Sequence, residues 1–310
     1  MLDVRRLKLL WELERRGTVS AVAKALNFSS SAVSQQLTLL ERELGTPLFT
    51  RSGRRLELSG AALELVAQTE TILAAIEHAE HAVNGLQSHL TGTLRVASFQ
   101  TAMLSLIPRA IQKMREQHPE VRVEIMQYEP ETGMRETWLR GFDLVIAEQY
   151  PGHAPEHFSG LDRKPLLHDR IHLALPAKDN SSAELQRVKQ LSDTAELPWV
   201  MEPRGAASRH WAEQACRVAG FEPDVRFVTA DLQAHLQLVA SGNAVSLLPG
   251  LVHLGNQTQR VRLLPLPDQP HRTVFTAARI ASRANPALRA LRQVLAAEAA
   301  ELAIHTDLIA

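Results

Sequence analysis

The sequence predicts an α/β protein in three parts: an N-terminal winged helix-turn-helix, a long connecting helix and a two-lobed α/β domain. Three observations predict it. Residues 1–58 hold three short amphipathic segments and then a basic hairpin. Residues 59–90 contain no proline, arginine or lysine and space their apolar residues four and three apart. From Thr93 onward, apolar strand-like runs alternate with amphipathic helices, the pattern of a mostly parallel sheet covered on both faces. The 310 residues exceed the ~100–200 usual for one domain.

The first helix starts after Asp3, an N-cap residue, carries Leu7, Leu10 and Trp11 on one face and stops at Gly17. The second starts after Thr18, with Val22, Ala25 and Leu26 inward, and breaks at Asn27. The third runs from Ser30 to Leu44, with Val33, Leu37, Leu40 and Leu44 inward, and ends at Gly45 ahead of Pro47. Its outward face is Ser30, Ser31, Ser34, Gln35 and Thr38. Solvated helix faces normally collect lysine and glutamate; short uncharged side chains let a helix lie against base edges in the major groove of double-stranded DNA. The segment LFTRSGRRLELS reads as a hairpin whose tip presents Arg51, Arg54 and Arg55 to phosphate. The whole chain balances 34 basic against 34 acidic residues, so affinity for a polyanion requires a local patch. Residues 1–58 supply it, with ten basic and six acidic side chains.

The run TVSAVAKALNFSSSAVSQQLTLLERELGTPLFTR resembles the LysR-type transcriptional regulators. An alanine-rich second helix, a serine-led third helix, the LERELG exit and the PLF-x-R wing entry follow one another without gaps. The resemblance implies promoter DNA as partner, a small-molecule effector, self-association to a dimer or tetramer, and contact with RNA polymerase. One departure is Gln35, where many members carry arginine; glutamine favours adenine.

The connecting helix is expected from Ser59 to Leu90, about 45 Å, with Leu65, Thr69, Ile72, Ile76, Ala79, Val83, Leu86 and Leu90 as a seam. Pairing with the same helix of a second subunit satisfies such a seam, and the resemblance implies it, with Leu65, Ile72, Ile76, Val83 and Leu86 as its anchors. The alternative is packing on its own domain. Glu64, Glu70, Glu77 and Glu80 make this helix repel DNA. His78 and His81, one turn apart with no third ligand in the sequence, read as solvated positions and not as a metal site.

Lobe I is expected to comprise residues 91–163 and 269–310, and lobe II residues 164–268, with crossings near Leu161 to Leu166 and Leu264 to His271. The segment LQLVASGNAVSLLPG is similar to the LysR family's at the same place, and the resemblance implies a lobe plan like that of type 2 periplasmic binding proteins. Ligands of open parallel sheets sit outside the carboxyl ends of the strands, beside helix N-termini. Those ends give Ser98, Gln100, Thr101, Glu129, Glu148, Glu202, Pro203, Arg204, Ser208 and Thr229 as effector-binding residues, with Asp231 beside them. For Thr101 and Asp231 a plain N-cap is an equal reading.

Chemistry is not expected. The sequence has no GxSxG, HExxH, GxxxxGK[ST] or GxGxxG pattern, which leaves no catalytic residues, cofactor or metal to assign. Cys216 is the single cysteine and sits in the amphipathic WAEQACRVAG, where it reads as a buried structural thiol. The opening MLDVRRLKLLWELERRG mixes charges through its apolar residues and reads as a helix, not a leader, which with the lack of a spanning segment points to a cytoplasmic protein away from membranes. The expected function is an effector-controlled DNA-binding regulator with no enzyme activity. Its rivals are a cytoplasmic solute-binding or enzymatic protein built on the two lobes, and an architectural DNA-binding protein that needs no effector.

Overall fold

The computed structural model describes residues 2–52, 55–84, 90–153, 156–178, 182–254 and 260–309. The chain divides into two units, Met1–Leu86 and Gln87–Ala310.

The first unit holds α1 (Val4–Arg16), α2 (Val19–Leu26), α3 (Ser30–Leu44), the strands β1 (Phe49–Ser52) and β2 (Arg55–Leu58), and α4 (Gly60–Asn84). Each short helix is bounded by its side chains. The side chains of Asp3, Thr18 and Ser29 accept the N–H groups of Arg5, Ala21 and Ala32, while Gly17, Asn27 and Gly45 close the helices in left-handed conformation. Leu7, Leu10, Trp11, Val22, Val33, Leu37 and Leu40 form the interior. On α2 the inward partner of Val22 is Ala23, not Ala25, which is exposed. The helix is only two turns long and packs on α1 and α3 together, so its buried face takes in Ala23 beside Val22.

Helix α4 is capped by Ser59, whose Oγ accepts the Ala62 N–H and donates to the Pro47 carbonyl. Two stripes run along it. Ala62, Val66, Thr69, Leu73 and Glu77 are buried within the unit, where α4 packs on α1. Thr69 therefore belongs to this inner stripe and not to the expected seam; its hydroxyl donates to the Leu65 carbonyl at 2.7 Å. Leu65 and Ile72 are half-buried, and Ile76, Ala79 and Val83 face outward. The helix does not reach Leu90, which packs against the core of the second unit, and Leu86 lies outside the described residues.

The second unit opens with β3 (Gly92–Ser98), α5 (Gln100–Gln117), β4 (Val121–Gln127), α6 (Pro130–Trp138) and β5 (Leu144–Gln149), in which β3 pairs in parallel with β4 and β5. The long strand β6 (Leu161–Pro176) follows. Then come α7 (Ala183–Arg187), β7 (Pro198–Met201), α8 (Ala207–Val218), β8 (Asp224–Val228), α9 (Leu232–Ala240), β9 (Ser246–Pro249) and β10 (Val261–Pro265). The strand β11 (His271–Arg279) and the helix α10 (Pro286–Ile309) end the chain. Leu94, Leu106, Met114, Ile146, Leu291 and Leu295 pack lobe I. Leu173, Trp199, Cys216 and Val245 pack lobe II.

Strand β6 belongs to both lobes. Leu161 to Arg170 pair with β11, whereas Ile171 to Pro176 pair with β9 and β10. The first crossing therefore lies at Arg170 and Ile171, beyond the expected Leu161 to Leu166, because the strand continues the lobe I sheet before it changes partners. The start of the second expected crossing is itself a strand, β10, and the return runs from Leu266 to Pro270, with Asp268 and Gln269 in left-handed conformation.

Arg272 ties the two crossing strands together. Its side chain is 1% exposed and sits opposite Asp169 in the register of β11 with β6. The guanidinium donates from Nε to Asp169 at 2.9 Å, from Nη2 to Thr101 Oγ1 at 2.7 Å, and from Nη1 to Glu148, and its Nη2 forms an ion pair with Asp169 at 2.7 Å. Asp169 also accepts the Leu251 N–H, in the turn after β9. Breaking a buried pair leaves an uncompensated charge, so Arg272→Met is expected to cost about 3–5 kcal/mol of unfolding free energy. Urea titration should find the Asp169→Asn/Arg272→Met double variant more stable than Arg272→Met alone; a double variant as unstable as the sum of the singles would refute the coupling.

Candidate functional site

Two surfaces carry the polar groups picked out above, one on each unit. On the first, α3 presents Ser30, Ser31, Ser34, Gln35 and Thr38 to solvent. The helix is held from behind by Val33, Leu37 and Leu40, so its outer face is fixed by the core. Thr38 Oγ1 turns back to the Ser34 carbonyl at 3.0 Å, and Ser31 exchanges a hydrogen bond with the capping Ser29. Gln35 is left as the longest free-reaching amide on that face, while the neighbouring Gln36 accepts from Arg6 Nε. The strands β1 and β2 pair from Phe49–Leu58 to Ser52–Arg55, as a wing requires. Arg54 and the side chains of Arg51 and Arg55 lie outside the described residues.

On the second unit the helices α5, α6, α8 and α9 start at the mouth of one inter-lobe cleft. Glu129, Pro130, Glu131, Thr132, Glu148, His153, Glu202, Arg204 and Ser208 line a cavity of about 380 Å³. An adjoining one of about 320 Å³ is lined by Gln100, Thr101, Gln127, Asp231, Leu232 and Arg272, and shares Glu129, Glu148, Glu202 and Ala230 with the first. The lobes meet at its floor: Gln100 Nε2 donates to Asp231 Oδ1 at 2.8 Å, and its Oε1 accepts the Leu232 N–H at 2.9 Å. That amide and the Gln233 N–H hold Asp231 below the usual carboxylate range.

Burial dominates the other acids. It pushes Glu148 up to about 7 against the pull of Arg272, with Glu202, Asp169 and Glu129 adding to the rise. It raises Glu202 as well, partly opposed by the hydroxyl of Ser208, which donates to that carboxylate. Glu129 and Arg204 are exposed on the cavity wall, and neither side chain has a hydrogen bond or ion pair with another described residue.

The cleft thus gathers Gln100, Thr101, Glu129, Glu148, Glu202, Pro203, Arg204 and Ser208 as expected. Ser98 is 1% exposed, lines neither cavity, and donates weakly to the Phe99 carbonyl. Thr229 faces an open groove beside β8, where its hydroxyl accepts the Asp231 N–H. Both follow apolar strands, but one side chain points into the sheet and the other outward. Arg272 was missed, although an arginine heading the apolar run RTVFTAAR was its signal. Cys216 is fully buried and its thiol is pushed up to about 12 by burial, which makes it a packing residue. No group of three or more metal-ligating side chains is found among the described residues, where His78 is exposed; the side chain of His81 is not among them. No helix among them is long and apolar enough to cross a membrane.

Both units match known protein families. Residues 4–63 match the bacterial regulatory helix-turn-helix protein, lysR family, and residues 87–300 match the LysR substrate binding domain. The chain is 30% identical to the transcriptional dual regulator GltC of Bacillus subtilis over 80% of its own length and 81% of the relative's. It is 26% identical to the malonate utilization transcriptional regulator of Klebsiella pneumoniae, covering 79% of each chain. Among solved structures, a full-length OxyR variant from Pseudomonas aeruginosa superposes with a TM-score of 0.64 at 20% identity, over 96% of this chain and 98% of that one. CbnR bound to its target DNA gives 0.54 at 20% identity, over 96% and 100%. The chain belongs to the LysR family of DNA-binding transcriptional regulators.

Proposed function

We propose that this regulator reads promoter DNA with Ser30, Ser31, Ser34, Gln35 and Thr38 on base edges and Arg51, Arg54 and Arg55 on phosphate. It works in the cytoplasm as a dimer or tetramer and engages RNA polymerase. The outward stripe of α4, with Leu65, Ile72, Ile76 and Val83, joins two copies together with Leu86, because Ile76 and Val83 stay exposed once the inner stripe is buried. The effector is an amino acid or a related small carboxylate metabolite. The observation that carries this reading is the cavity itself, which is bounded by the N-termini of α6 and α8 and by Arg204 without a partner. Helix N-termini and a free guanidinium suit a carboxylate. Anisotropy titration of the full chain against its promoter, with and without amino acids and organic acids, tests the function; affinity indifferent to all of them would overturn it.

Two further outcomes are expected. Gln35→Ala should lower the specific-to-random DNA affinity ratio, at a cost of about 1–3 kcal/mol, and Arg54→Ala should weaken every sequence and flatten the salt dependence. An unchanged ratio in Gln35→Ala would remove α3 from the base edges. Ile76→Asp should yield monomers by sedimentation with normal near-UV circular dichroism, since it buries a charge in the seam. A dimer that persists would refute that seam.

A further inference from the structure

We propose that the effector binds the inter-lobe cleft through a positively charged nitrogen seated among Glu129, Glu148 and Glu202, so that ammonium-bearing metabolites are accepted and the matching acids without nitrogen are refused. This rests on the reading of the cleft as a small-metabolite site and narrows its chemistry.

The three carboxylates line both cavities and so stand at their junction. They are poorly compensated. Glu148 has Arg272, but shares it with Asp169, which is 0% exposed and bonded to the same guanidinium. Glu202 has the hydroxyl of Ser208, and Glu129 has no hydrogen-bonding or ion-pair partner among the described residues. With Glu131 and Asp231, five carboxylates face the two cavities against the guanidiniums of Arg204 and Arg272. The helix N-termini offset part of this excess. A ligand that brings only negative charge adds to the excess in a low-dielectric space, whereas an ammonium removes it. The carboxylates do not converge as metal ligands do, since no group of three or more forms among the described residues. The arrangement therefore suits a nitrogen cation, whose hydrogen bonds are spread over several acceptors.

The charge balance also sets the proton traffic. The groups facing Glu148 are Arg272 of β11, Asp169 of β6, Glu202 after β7, Glu129 before α6 and Tyr150 just after its own strand. With its carboxyl pushed up to about 7, Glu148 is partly protonated at neutral pH. An adjacent ammonium favours the carboxylate, so binding expels the proton from the Glu148 oxygen to solvent. Binding tightens as pH rises from about 6 to 8, and the release fades once the carboxyl is already ionised.

Isothermal titration of the full chain with L-norleucine and hexanoate, L-glutamate and glutarate, and L-aspartate and succinate tests the proposal. The amino acid that binds most tightly should exceed its nitrogen-free partner at least about tenfold. At pH 7 its heat should vary with the ionisation enthalpy of the buffer, in the sense of proton release, and this dependence should shrink at pH 8.5. Glu129→Gln should erase most of the preference. Glu148→Gln should lose the proton release, and His153→Gln, which alters the histidine on the wall, should keep it. Acids that bind as well as their amino partners, or a preference untouched by Glu129→Gln, would overturn the proposal. Binding by no compound of either kind would instead overturn the underlying reading of the cleft as an amino-acid or carboxylate site.

Discussion

A guanidinium withdrawn from water is tolerable only if nearly all its donors find acceptors, and Arg272 meets that condition at the one place where the lobes share strands. Asp169 on β6, Glu148 on β5 and Thr101 at the start of α5 each take a donor from it. The crossing strand, an inner strand of the lobe I sheet and the start of a cleft helix are thus locked to a single cation. Asp169 extends the lock to the turn after β9 through the Leu251 N–H. Because Glu148 is also part of the cleft wall, anything that changes its charge changes what holds the crossing strands. With the effector seated as proposed, structure and sensing in this unit depend on the same few atoms.

The distribution of charge follows the division of labour between the units. Residues 1–58 concentrate positive charge behind a helix face of small uncharged side chains, a surface suited to a polyanion read from close range. The cleft of the second unit concentrates carboxylates instead and confines them beside helix N-termini, where burial raises Glu148 and Glu202. A chain with no net charge can in this way carry two surfaces of opposite preference.

Much of the first unit was legible because its boundaries are chemical. Asp3, Gly17, Thr18, Asn27 and Gly45 bound helices through local hydrogen bonds or left-handed backbone, and local chemistry is visible in a single sequence. Burial partners were less so. Helix α4 carries apolar or small residues on two faces, and spacing alone cannot say which faces its own unit; Thr69 fits either stripe by position and is buried in the inner one. The change of partners within β6 was not visible, because a strand that changes neighbours midway keeps its side-chain period. In the cleft, strand ends located the right region but not the direction of each side chain, which is why Ser98 and Thr229 fall outside both cavities. Arg272 is central yet lies far along the chain from its partners, and only the tertiary fold brings them together.

The central claim is that an effector is held between the lobes, against helix N-termini, above the Arg272 lock. Hydrogen–deuterium exchange of the full chain, with and without a bound amino acid, addresses it most directly. The account predicts slowed exchange at the first N–H groups of α6 and α8 and in the hinge segments around Asp169 and Arg272, with the outer face of α10 unaffected. Protection confined to the groove beside Trp211, or none in the first turns of α6 and α8, would contradict it.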